Sequence, residues 1–568
     1  MKNLSERIFI GVAWPYANGS LHLGHIAGCY LAADIFAKYH RMIGNEVLMV
    51  SGSDQHGTPI TIRAEQESIP PQQVVAKYHL EFLDSWNRMG IDFDLFTNTT
   101  TENHKNVVPE LFLKLLNKGY IYKDTMKLHY CSSCERFRPD RYIEGICNYC
   151  NYDGARGDQC DNCGRTSNPE ELLEPKCRVC HSSPQFLESE HFFLRLSAFQ
   201  KPLLQWVKQQ KHWRPNVLNF TLRYIQDGLK DRAITRDINW GVTIPLKGYS
   251  SKRIYVWFEA VTGYLSAAIE WAILQNRPKA WEVFFKDPQT KAYYFLGKDN
   301  IPFHTIIWPS MLMGEGSMIL PYDVPANEFL NLEDAKISTS RNWAVWLPDY
   351  LSKYDPDALR YVLSATMPET SDSHFSWTDY IRRNNQELVA TYGNLVHRTL
   401  TLTHRIFNGA FPTPGSFDEL DQQILKSIAK VANDTGEQIY QCKFRHALNS
   451  IMSFAQQGNR YIDAKAPWKT MQTDVARTGT TLWVCLSIIS CLRTISYPFL
   501  PFSAQKLHEM LGGTGSVKDA GWSIQEIIPN KTFPYPTPLF TKLDDSIAAK
   551  ELELLDTKSS EVKPIANN

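Results

Sequence analysis

The sequence predicts an α/β protein in which a doubly wound parallel sheet is interrupted by a cysteine-rich insertion and followed by an α-helical bundle. Near the N-terminus, an apolar run at 8–13, a helical pattern over 21–44 and a second apolar run at 46–50 follow one another. A strand, a helix and a strand in such a short stretch form a βαβ unit, which requires a parallel sheet. Strand-like runs return at 253–258 and 292–296, so the insertion divides the sheet.

Length and composition describe a folded protein of several domains. At about 150 residues per domain, 568 residues suggest three or four domains. A formal net charge of zero gives no overall nucleic-acid signature, although a local basic patch would suffice for binding. The N-terminus lacks a signal-peptide layout, and the longest apolar run, 482–492, is shorter than the roughly 20 residues of a membrane helix. We therefore expect a cytoplasmic protein with no membrane partner.

Eight of the twelve cysteines form four Cys-x-x-Cys pairs between positions 131 and 180. In a cytosolic chain this clustering indicates metal binding rather than disulfides, and two pairs complete one tetrahedral zinc site. An iron–sulfur cluster and redox dithiols are the alternatives. We expect one or two structural zinc ions per chain. The short loop after Cys150 favours an inner site of Cys147, Cys150, Cys160 and Cys163 and an outer site of Cys131, Cys134, Cys177 and Cys180.

Two histidines three residues apart follow the first strand in the segment PYANGSLHLGH. With Asn18 or Ser20 as the cap, His22 and His25 would share one face of the first helical turn. A helix N-terminus attracts phosphate, and Gly24 would let a flat ligand lie against the backbone. The pattern favours imidazoles that donate to a phosphate, with two capping or surface histidines as the alternative. A zinc site is disfavoured because no glutamate accompanies the pair.

A second candidate phosphate loop, KISTS at 336–340, lies far along the chain. In this order the two segments resemble the His-Ile-Gly-His and Lys-Met-Ser-Lys-Ser signatures of class I aminoacyl-tRNA synthetases. The cysteine pairs between them narrow the resemblance to the methionyl-tRNA synthetase family. It continues through SGSDQHGTPI, SEHFFLRL, AITRD, YVWFEAVTGY, FLGKDNIPFHTIIWP and NRYIDAKAPW. It departs at Thr339, where the family has its second lysine.

The resemblance implies a Rossmann-like catalytic domain, an inserted zinc-knuckle domain and a helical anticodon-binding domain. The two halves of the catalytic domain would span 1–120 and 226–330, around the insertion at 121–225. The KISTS loop would lie in a linking region at 331–380. The anticodon-binding domain would span 381–535 and precede a C-terminal tail, 536–568. After Ser546 the tail is charged, and we expect it to fray.

The implied activity is the formation of methionyl-adenylate from L-methionine and ATP, with magnesium on the leaving pyrophosphate. The methionyl group then passes to the 3′ terminal adenosine of methionine tRNA, both initiator and elongator. The resemblance favours a monomer. Two alternatives stay open: a class I synthetase for another amino acid, and a zinc-ribbon tRNA-binding paralogue without catalysis, which only Thr339 suggests.

The resemblance also assigns residues, position by position. The catalytic residues would be His22, His25 and Lys336, and ATP would contact Gly24, Gly297, Asp299, Lys336 and Thr339. The methionine site would comprise Trp14, Tyr16, Asp54, Trp257, Tyr264 and His304, with Asp54 holding the substrate ammonium. The anticodon would be read by Asn394, Arg398 and Trp468.

Overall fold

The central sheet contains five parallel strands. The structure is a computed structural model that describes residues 5–138, 142–157, 160, 162, 171–339 and 341–560. Parallel sheets bury both faces, and the strand Arg7–Val12 is accordingly almost entirely apolar. In spatial order the strands are Ala326–Asn327, Lys291–Gly297, Arg7–Val12, Glu46–Ser53 and Leu95–Asn98. This order confirms the predicted parallel sheet and its division between two distant parts of the chain.

The sequence prediction was incomplete at two places in this domain. The strand Leu95–Asn98 is not among the runs that the sequence predicts as strands. The predicted strand 253–258 ends after Ile254, and a helix begins at Val256. An apolar run fits a buried strand or a buried helix equally well, so periodicity alone cannot separate them.

Helices cover both faces of the sheet. The helix that carries His25 continues through a π-helical turn, Ile26–Tyr30, into Leu31–Met42. A second π-helical turn, Phe303–Ile307, lies after the strand Lys291–Gly297. The other helices of this domain are Thr58–Glu67, Pro71–Met89, Glu102–Asn117, Val256–Leu274, Glu282–Lys286, Lys298–Asn300 and Trp308–Glu315.

The insertion is built on a long antiparallel hairpin. Ile121–Cys131 pairs with Gln185–Leu194, from Ile121 opposite Leu194 to Tyr130 opposite Gln185. A small three-stranded sheet follows the first strand of this hairpin, and Cys147 and Cys160 are buried there with Ile143 in place of a larger apolar core. The remaining elements are Arg136–Phe137, Ile143–Ile146, Asp153–Arg156, Leu173–Cys177, Leu196–Phe199, Gln200–Val207, Pro215–Gln226, Arg232–Ala233 and Thr235–Arg236.

A small three-stranded sheet carries the KISTS loop between the catalytic domain and the bundle. Leu330–Leu332 lies between Ala335–Lys336 and Ser373–Phe375. Two helices, Leu347–Lys353 and Pro356–Ala365, follow the loop.

The helical bundle is present as predicted. Its longest apolar helix, Val475–Ser496, has the length and composition to cross a membrane, but 72% of its most apolar window is buried by neighbouring helices. It packs against Glu419–Tyr440 and Phe444–Lys465 as a core helix. The other helices are Trp377–Arg383, the π-helical Asn384–Gly393, Asn394–Ile406, Pro467–Thr470, Pro501–Met510 and Val517–Ala520.

The end of the chain differs from the sequence prediction. We expected the tail after Ser546 to fray, but Ser546–Ser560 is a helix, and 561–568 lie outside the described residues. Leu555 is buried, and Glu551 accepts hydrogen bonds from Lys353 (2.9 Å) and from the Tyr354 hydroxyl (2.6 Å). Lys558 pairs with Asp349 at 2.7 Å. The charged side chains that suggested fraying therefore form hydrogen bonds and ion pairs with residues of the linking region, 331–380.

A fully buried arginine joins the catalytic domain to the bundle. Arg360 donates to Asp34 (2.7 Å) on the first long helix and to the carbonyl oxygens of Pro498 (2.7 Å), Phe499 (2.8 Å) and Met89 (3.1 Å). The planar guanidinium can satisfy several acceptors at once, which suits a junction of several elements.

Candidate active site and metal-binding clusters

His22 and His25 cap their own helix. The Gly24 N–H donates to His22 Nδ1 (3.1 Å), and the His22 N–H donates to His25 Nδ1 (3.1 Å). This reciprocal arrangement satisfies two of the free N–H groups at the helix start. The predicted caps, Asn18 and Ser20, are wrong because the helix begins only at Leu23.

The cap also fixes the proton positions on the two imidazoles. Burial lowers the pKa of His25 to about 4 and lowers that of His22 well below its usual value, where the neighbouring His25 adds to the effect. Both rings are therefore neutral at physiological pH. Because each Nδ1 accepts a hydrogen bond, the ring proton of each lies on Nε2. In the described part of the chain neither Nε2 atom has a hydrogen-bond partner, so both N–H groups are available to a ligand.

The KISTS loop lies against the histidine segment. A Cβ added at Gly24 would lie 3.1 Å from Ile337 Cδ1 and 2.9 Å from His22 Cε1. Main-chain hydrogen bonds from Leu23 N to Val345 O (3.2 Å) and from Leu347 N to Leu21 O (2.7 Å) hold the two segments together. The structure thus joins the two motifs that the sequence separates by most of the catalytic domain.

Lys336 lies beside the end of the strand Lys291–Gly297. Burial raises the pKa of Asp299, and the charges of Lys298 and Lys336 partly offset that effect, so the three side chains share one electrostatic environment. A Cβ at Gly297 would meet no atom within 4 Å, which leaves open space above the strand end. Thr339 is exposed at the tip of the loop. Its neighbour Arg341 is also exposed and donates to Ser338 Oγ (3.2 Å).

Three of the predicted methionine-site residues form one aromatic cluster, in which Tyr264 and His304 are buried and Trp14 is partly buried. Tyr264 contacts Trp14 edge to face, with ring centroids 6.5 Å apart, and its hydroxyl lies 2.7 Å from His304 Nε2. The Trp14 ring has room because residues 52 and 263 are glycines, whose Cβ atoms would come within 2.5 Å and 2.9 Å of it. His304 Nδ1 lies 2.9 Å from the Asn300 carbonyl oxygen, which can only accept a hydrogen bond. Burial lowers the pKa of His304 to about 4, so its Nε2 accepts from the Tyr264 hydroxyl.

The other predicted residues of this site take different positions. Tyr16 and Asp54 are neighbours through a main-chain bridge, and Asp54 is 3% exposed. Burial, reinforced by the charge of Glu259, raises the pKa of Asp54 well above its usual value. Trp257 is 41% exposed and packs on Phe303 with ring centroids 4.6 Å apart, so it lies at the rim rather than in the buried cluster.

Sequence reasoning missed a buried acid–base network behind Asp54. Glu259 is completely buried, and its Oε1 atom lies 2.5 Å from His56 Nδ1 and 3.3 Å from His104 Nε2. Burial alone would raise the pKa of Glu259, but the two imidazoles outweigh it and lower that pKa to about 2. The sequence feature that could have indicated this network is a single glutamate among the apolar residues of the first turns of the helix Val256–Leu274.

The cysteine pairs gather into two clusters. The sulfur atoms of Cys131, Cys134, Cys177 and Cys180 all lie within 4.8 Å of one another, as do those of Cys147, Cys150 and Cys160. Cys163, the predicted fourth ligand of the inner site, lies outside the described residues. Sulfur atoms at this spacing can hold a metal ion, and a set made only of thiolates favours zinc or an iron–sulfur cluster.

The predicted anticodon residues lie together on the bundle. The Arg398 guanidinium lies over the Trp468 ring, 4.9 Å from its centroid, and donates to Asp463 (2.9 Å). Asn394 precedes Arg398 by one helical turn and is exposed. Trp468 is only partly buried, so it has a face available for stacking.

Comparison with known proteins agrees with this geometry. The model of the family described as tRNA synthetases class I (M) matches residues 8–400, and the model of the anticodon binding domain of methionyl tRNA ligase matches residues 411–553. A methionine–tRNA ligase of Dehalococcoides mccartyi (strain BAV1) is 55% identical over 548 residues, which cover 96% of this chain and 99% of that protein. A methionine–tRNA ligase of Thermomicrobium roseum is 48% identical over 583 residues, covering 98% of this chain and 100% of that protein.

A solved structure supports the fold. The Mycobacterium tuberculosis methionyl-tRNA synthetase in complex with methionyl-adenylate has a TM-score of 0.79 to this chain at 24% identity, covering 94% of this chain and 99% of that one. At this identity the match confirms the fold class. Together with the two family models and the relatives at 48% and 55% identity, it shows that the chain belongs to the methionyl-tRNA synthetase family of class I aminoacyl-tRNA synthetases.

Proposed function

We propose that the chain is a methionine–tRNA ligase. In the first step a carboxylate oxygen of L-methionine attacks the α-phosphorus of ATP in line, and the bond to the leaving pyrophosphate breaks. In the second step a hydroxyl of the 3′ terminal adenosine of methionine tRNA, initiator or elongator, attacks the carbonyl carbon and releases AMP. The observation that carries the assignment is the position of Ile337, in the KISTS loop, beside Gly24 of the histidine segment.

His22 and His25 would donate their Nε2–H groups to the phosphates. Their Nδ1 atoms are held by the helix cap, so the donors are already oriented before ATP binds. Such preorganised donors stabilise the charge that develops in the transition state at little reorganisation cost. Gly24 and Gly297 would leave room for the adenosine, and Asp299 would contact it at the end of the strand.

Lys336 would neutralise charge on the leaving pyrophosphate, and ATP would bring magnesium, which neutralises the same group. Thr339 offers a hydroxyl where the family has a second lysine. Arg341, exposed on the same loop, would supply the missing positive charge. Catalysis then depends on positioning and charge stabilisation rather than on a covalent nucleophile.

The methionine side chain would enter the cluster of Trp14, Tyr264 and His304. A thioether is polarizable and packs well against aromatic rings. Tyr16 and Trp257 would close the pocket from the rim. Asp54 would bind the α-ammonium, because its buried carboxylate lacks a cationic partner among the described residues.

The two cysteine clusters would each hold one structural zinc ion. The outer set is complete in the described residues, and Cys163 would complete the inner set. No ligand position would remain open, which is typical of structural rather than catalytic zinc. Few apolar side chains are buried around the inner cysteine cluster, so metal binding would contribute most of the stability of that part of the insertion.

Asn394, Arg398 and Trp468 would read the anticodon. A splayed base can stack on the indole and hydrogen-bond to the amide or the guanidinium. We assign the domains at 1–120 with 226–330, 121–225, 331–380, 381–535 and 536–568. We further propose that the protein acts in the cytoplasm without a membrane partner and as a monomer of 65.2 kDa. Light scattering of the purified protein tests the monomer.

Amino-acid-dependent ATP–pyrophosphate exchange tests the proposal and its alternatives. Methionine should support exchange, and the same preparation should charge methionine tRNA. Exchange with a different amino acid alone would indicate another synthetase. Binding of tRNA without any exchange would indicate a paralogue that has lost catalysis.

A further inference from the structure

The proposed reaction assigns no role to the buried network of Glu259, His56 and His104 behind Asp54. It lies where three elements meet: the turn after the strand Glu46–Ser53, the helix Glu102–Asn117 and the helix Val256–Leu274. Glu259 comes from the last helix, His104 from the second and His56 from the turn. All three side chains are at most 4% exposed, so solvent cannot satisfy them.

Glu259 faces two imidazoles, and among the described residues it forms a hydrogen bond with one of them, through Oε1 and His56 Nδ1. Ser266 Oγ donates to the Gly263 carbonyl oxygen (3.0 Å), so it must accept from His104 Nδ1, which lies 2.8 Å away. His104 Nε2 then faces Glu259 at 3.3 Å. This approach is not a hydrogen bond, since His104 Nε2 is a buried nitrogen without a hydrogen-bond partner among the described residues. Glu259 thus holds the His56 ring by a hydrogen bond and packs beside His104.

His56 connects this network to Asp54. Its ring lies 2.5 Å from Glu259, while its main-chain N–H donates to Asp54 Oδ1 at 3.2 Å. The ring position therefore sets the direction of the N–H group that orients the Asp54 carboxylate. Glu259 Oε2 is buried without a hydrogen-bond partner among the described residues. An uncompensated buried acceptor is costly, which indicates that the carboxylate is retained for a purpose other than stability.

We propose that Glu259 is a positioning residue for the substrate amino group: it fixes His56 and thereby holds the Asp54 carboxylate toward the ammonium. The inference rests on the proposed function, in which Asp54 binds that ammonium. It extends the amino-acid site beyond the side-chain pocket to a carboxylate that does not itself touch the substrate.

The test separates recognition of the amino group from general damage to the pocket. Glu259→Gln keeps the shape and removes the charge. We expect it to raise the KM for methionine by about tenfold while leaving the KM for ATP within about twofold. Methioninol, which keeps the ammonium, should lose affinity by the same factor as an inhibitor of exchange. Its counterpart without the amino group, 4-(methylthio)butan-1-ol, should inhibit the variant and the wild type equally.

Glu270→Gln is the matched control. Glu270 lies on the same helix and accepts a hydrogen bond from Thr97 (2.9 Å), and it has no contact with His56. We expect this variant to retain wild-type affinity for methioninol. Glu259→Asp, which keeps the charge, should restore most of the affinity that Glu259→Gln loses. If Glu259→Gln does not fold, His56→Ala breaks the same connection and should show the same selective loss.

Two results would overturn the inference: equal weakening of methioninol and 4-(methylthio)butan-1-ol, or unchanged methioninol affinity in Glu259→Gln. A double mutant adds a second criterion, since Glu259→Gln should have little further effect in an Asp54→Asn background if it acts through Asp54.

The outcomes are distinguishable from failure of the proposed function. That failure would appear as absence of methionine-dependent exchange in the wild type. If only the inference fails, the wild type would still catalyse exchange, and Asp54→Asn would be the one impaired variant.

Discussion

His22 and His25 cap one helix reciprocally: the Gly24 N–H donates to the first imidazole and the His22 N–H donates to the second. The ring planes lie close, with centroids 3.8 Å apart. The capping role and the phosphate-binding role, which the sequence presented as alternatives, use different atoms of the same rings. Each Nδ1 accepts the hydrogen bond that caps the helix, and each Nε2–H group is left for a ligand. The same side-chain arrangement therefore permits both capping and phosphate binding.

This cap predicts an unusual titration for His25. Its pKa is lowered to about 4, whereas the pKa of a histidine in an unfolded chain is about 6.5. The unfolded chain therefore takes up the proton first, and this residue lowers folding stability as the pH falls from about 6.5 to about 4, with no effect above that range. Ring-labelled NMR of the ligand-free protein should show the neutral Nε2–H tautomer of His25 throughout about pH 6–8, because Nδ1 accepts a hydrogen bond and cannot carry the proton. A titration midpoint near the unfolded value would contradict the cap.

Replacing Lys336 with alanine should impair adenylate formation. The lysine is exposed and contributes only charge at the phosphate loop, so we expect a loss of at least about tenfold, or about 1.4 kcal/mol. Methionine-dependent pyrophosphate exchange measures it. Lys353→Ala, which removes an exposed lysine of the same region paired with Glu551, is the control. A near-normal exchange rate in Lys336→Ala would refute the assignment.

Arg341 should compensate for the lysine that Thr339 replaces. Arg341→Ala is expected to slow pyrophosphate exchange by about tenfold, and Thr339→Lys in that background should restore most of the rate, because either side chain places one positive charge on the loop. Thermal unfolding should not change, since both positions are exposed. A Thr339→Lys substitution that fails to rescue Arg341→Ala would argue against compensation.

The two cysteine clusters predict two equivalents of zinc per chain. Elemental analysis of the purified protein should find this ratio. Cys180→Ser should reduce it to one, because Cys180 belongs only to the outer cluster. Ser182→Ala, a neighbouring change outside the cysteine set, should leave it at two. One equivalent in the wild type, or iron in place of zinc, would contradict the assignment.

Trp468 should contribute to tRNA recognition and not to amino-acid activation. Trp468→Ala removes the stacking surface over which Arg398 lies, and loss of one stacked base corresponds to roughly 1–3 kcal/mol. We therefore expect the KM for methionine tRNA to rise by about tenfold or more, with pyrophosphate exchange unchanged. Lys430→Ala, exposed on another helix of the bundle, is the control. Loss of both activities together would indicate misfolding.

Arg360 should be essential to stability. Arg360→Met leaves three carbonyl oxygens and one side of Asp34 without a donor, and breaking a buried ion pair on one side costs about 3–5 kcal/mol. The midpoint of thermal unfolding should fall accordingly. The double variant Asp34→Asn with Arg360→Met should be less destabilised than the sum of the single variants. Strict additivity would show that the two residues do not interact.

Local sequence was enough for the features that depend on neighbours in the chain. The apolar run before PYANGSLHLGH predicted the first strand, the regular cysteine pairs predicted the metal-binding insertion, and helical periodicity predicted the bundle. Local spacing failed where tertiary contacts decide the outcome. The charged tail became a helix because Glu551 and Lys558 find partners in the linking region. The helix cap moved to His22 because the turn before it pairs with the segment at Val345 and Leu347.

For the site, the sequence by itself determined which side chains were present and which motifs they formed. Only the tertiary structure decided which of them meet. Ile337 lies on Gly24 because the segments on either side are hydrogen-bonded across the fold. Glu259 reaches His56 because the helix Val256–Leu274 packs against the strand Glu46–Ser53, which leads into the turn with His56. The physical reason is that hydrogen bonds and ion pairs act over a few ångströms of space, whereas a motif records only distance along the chain. The proton positions on His22 and His304 follow from those contacts.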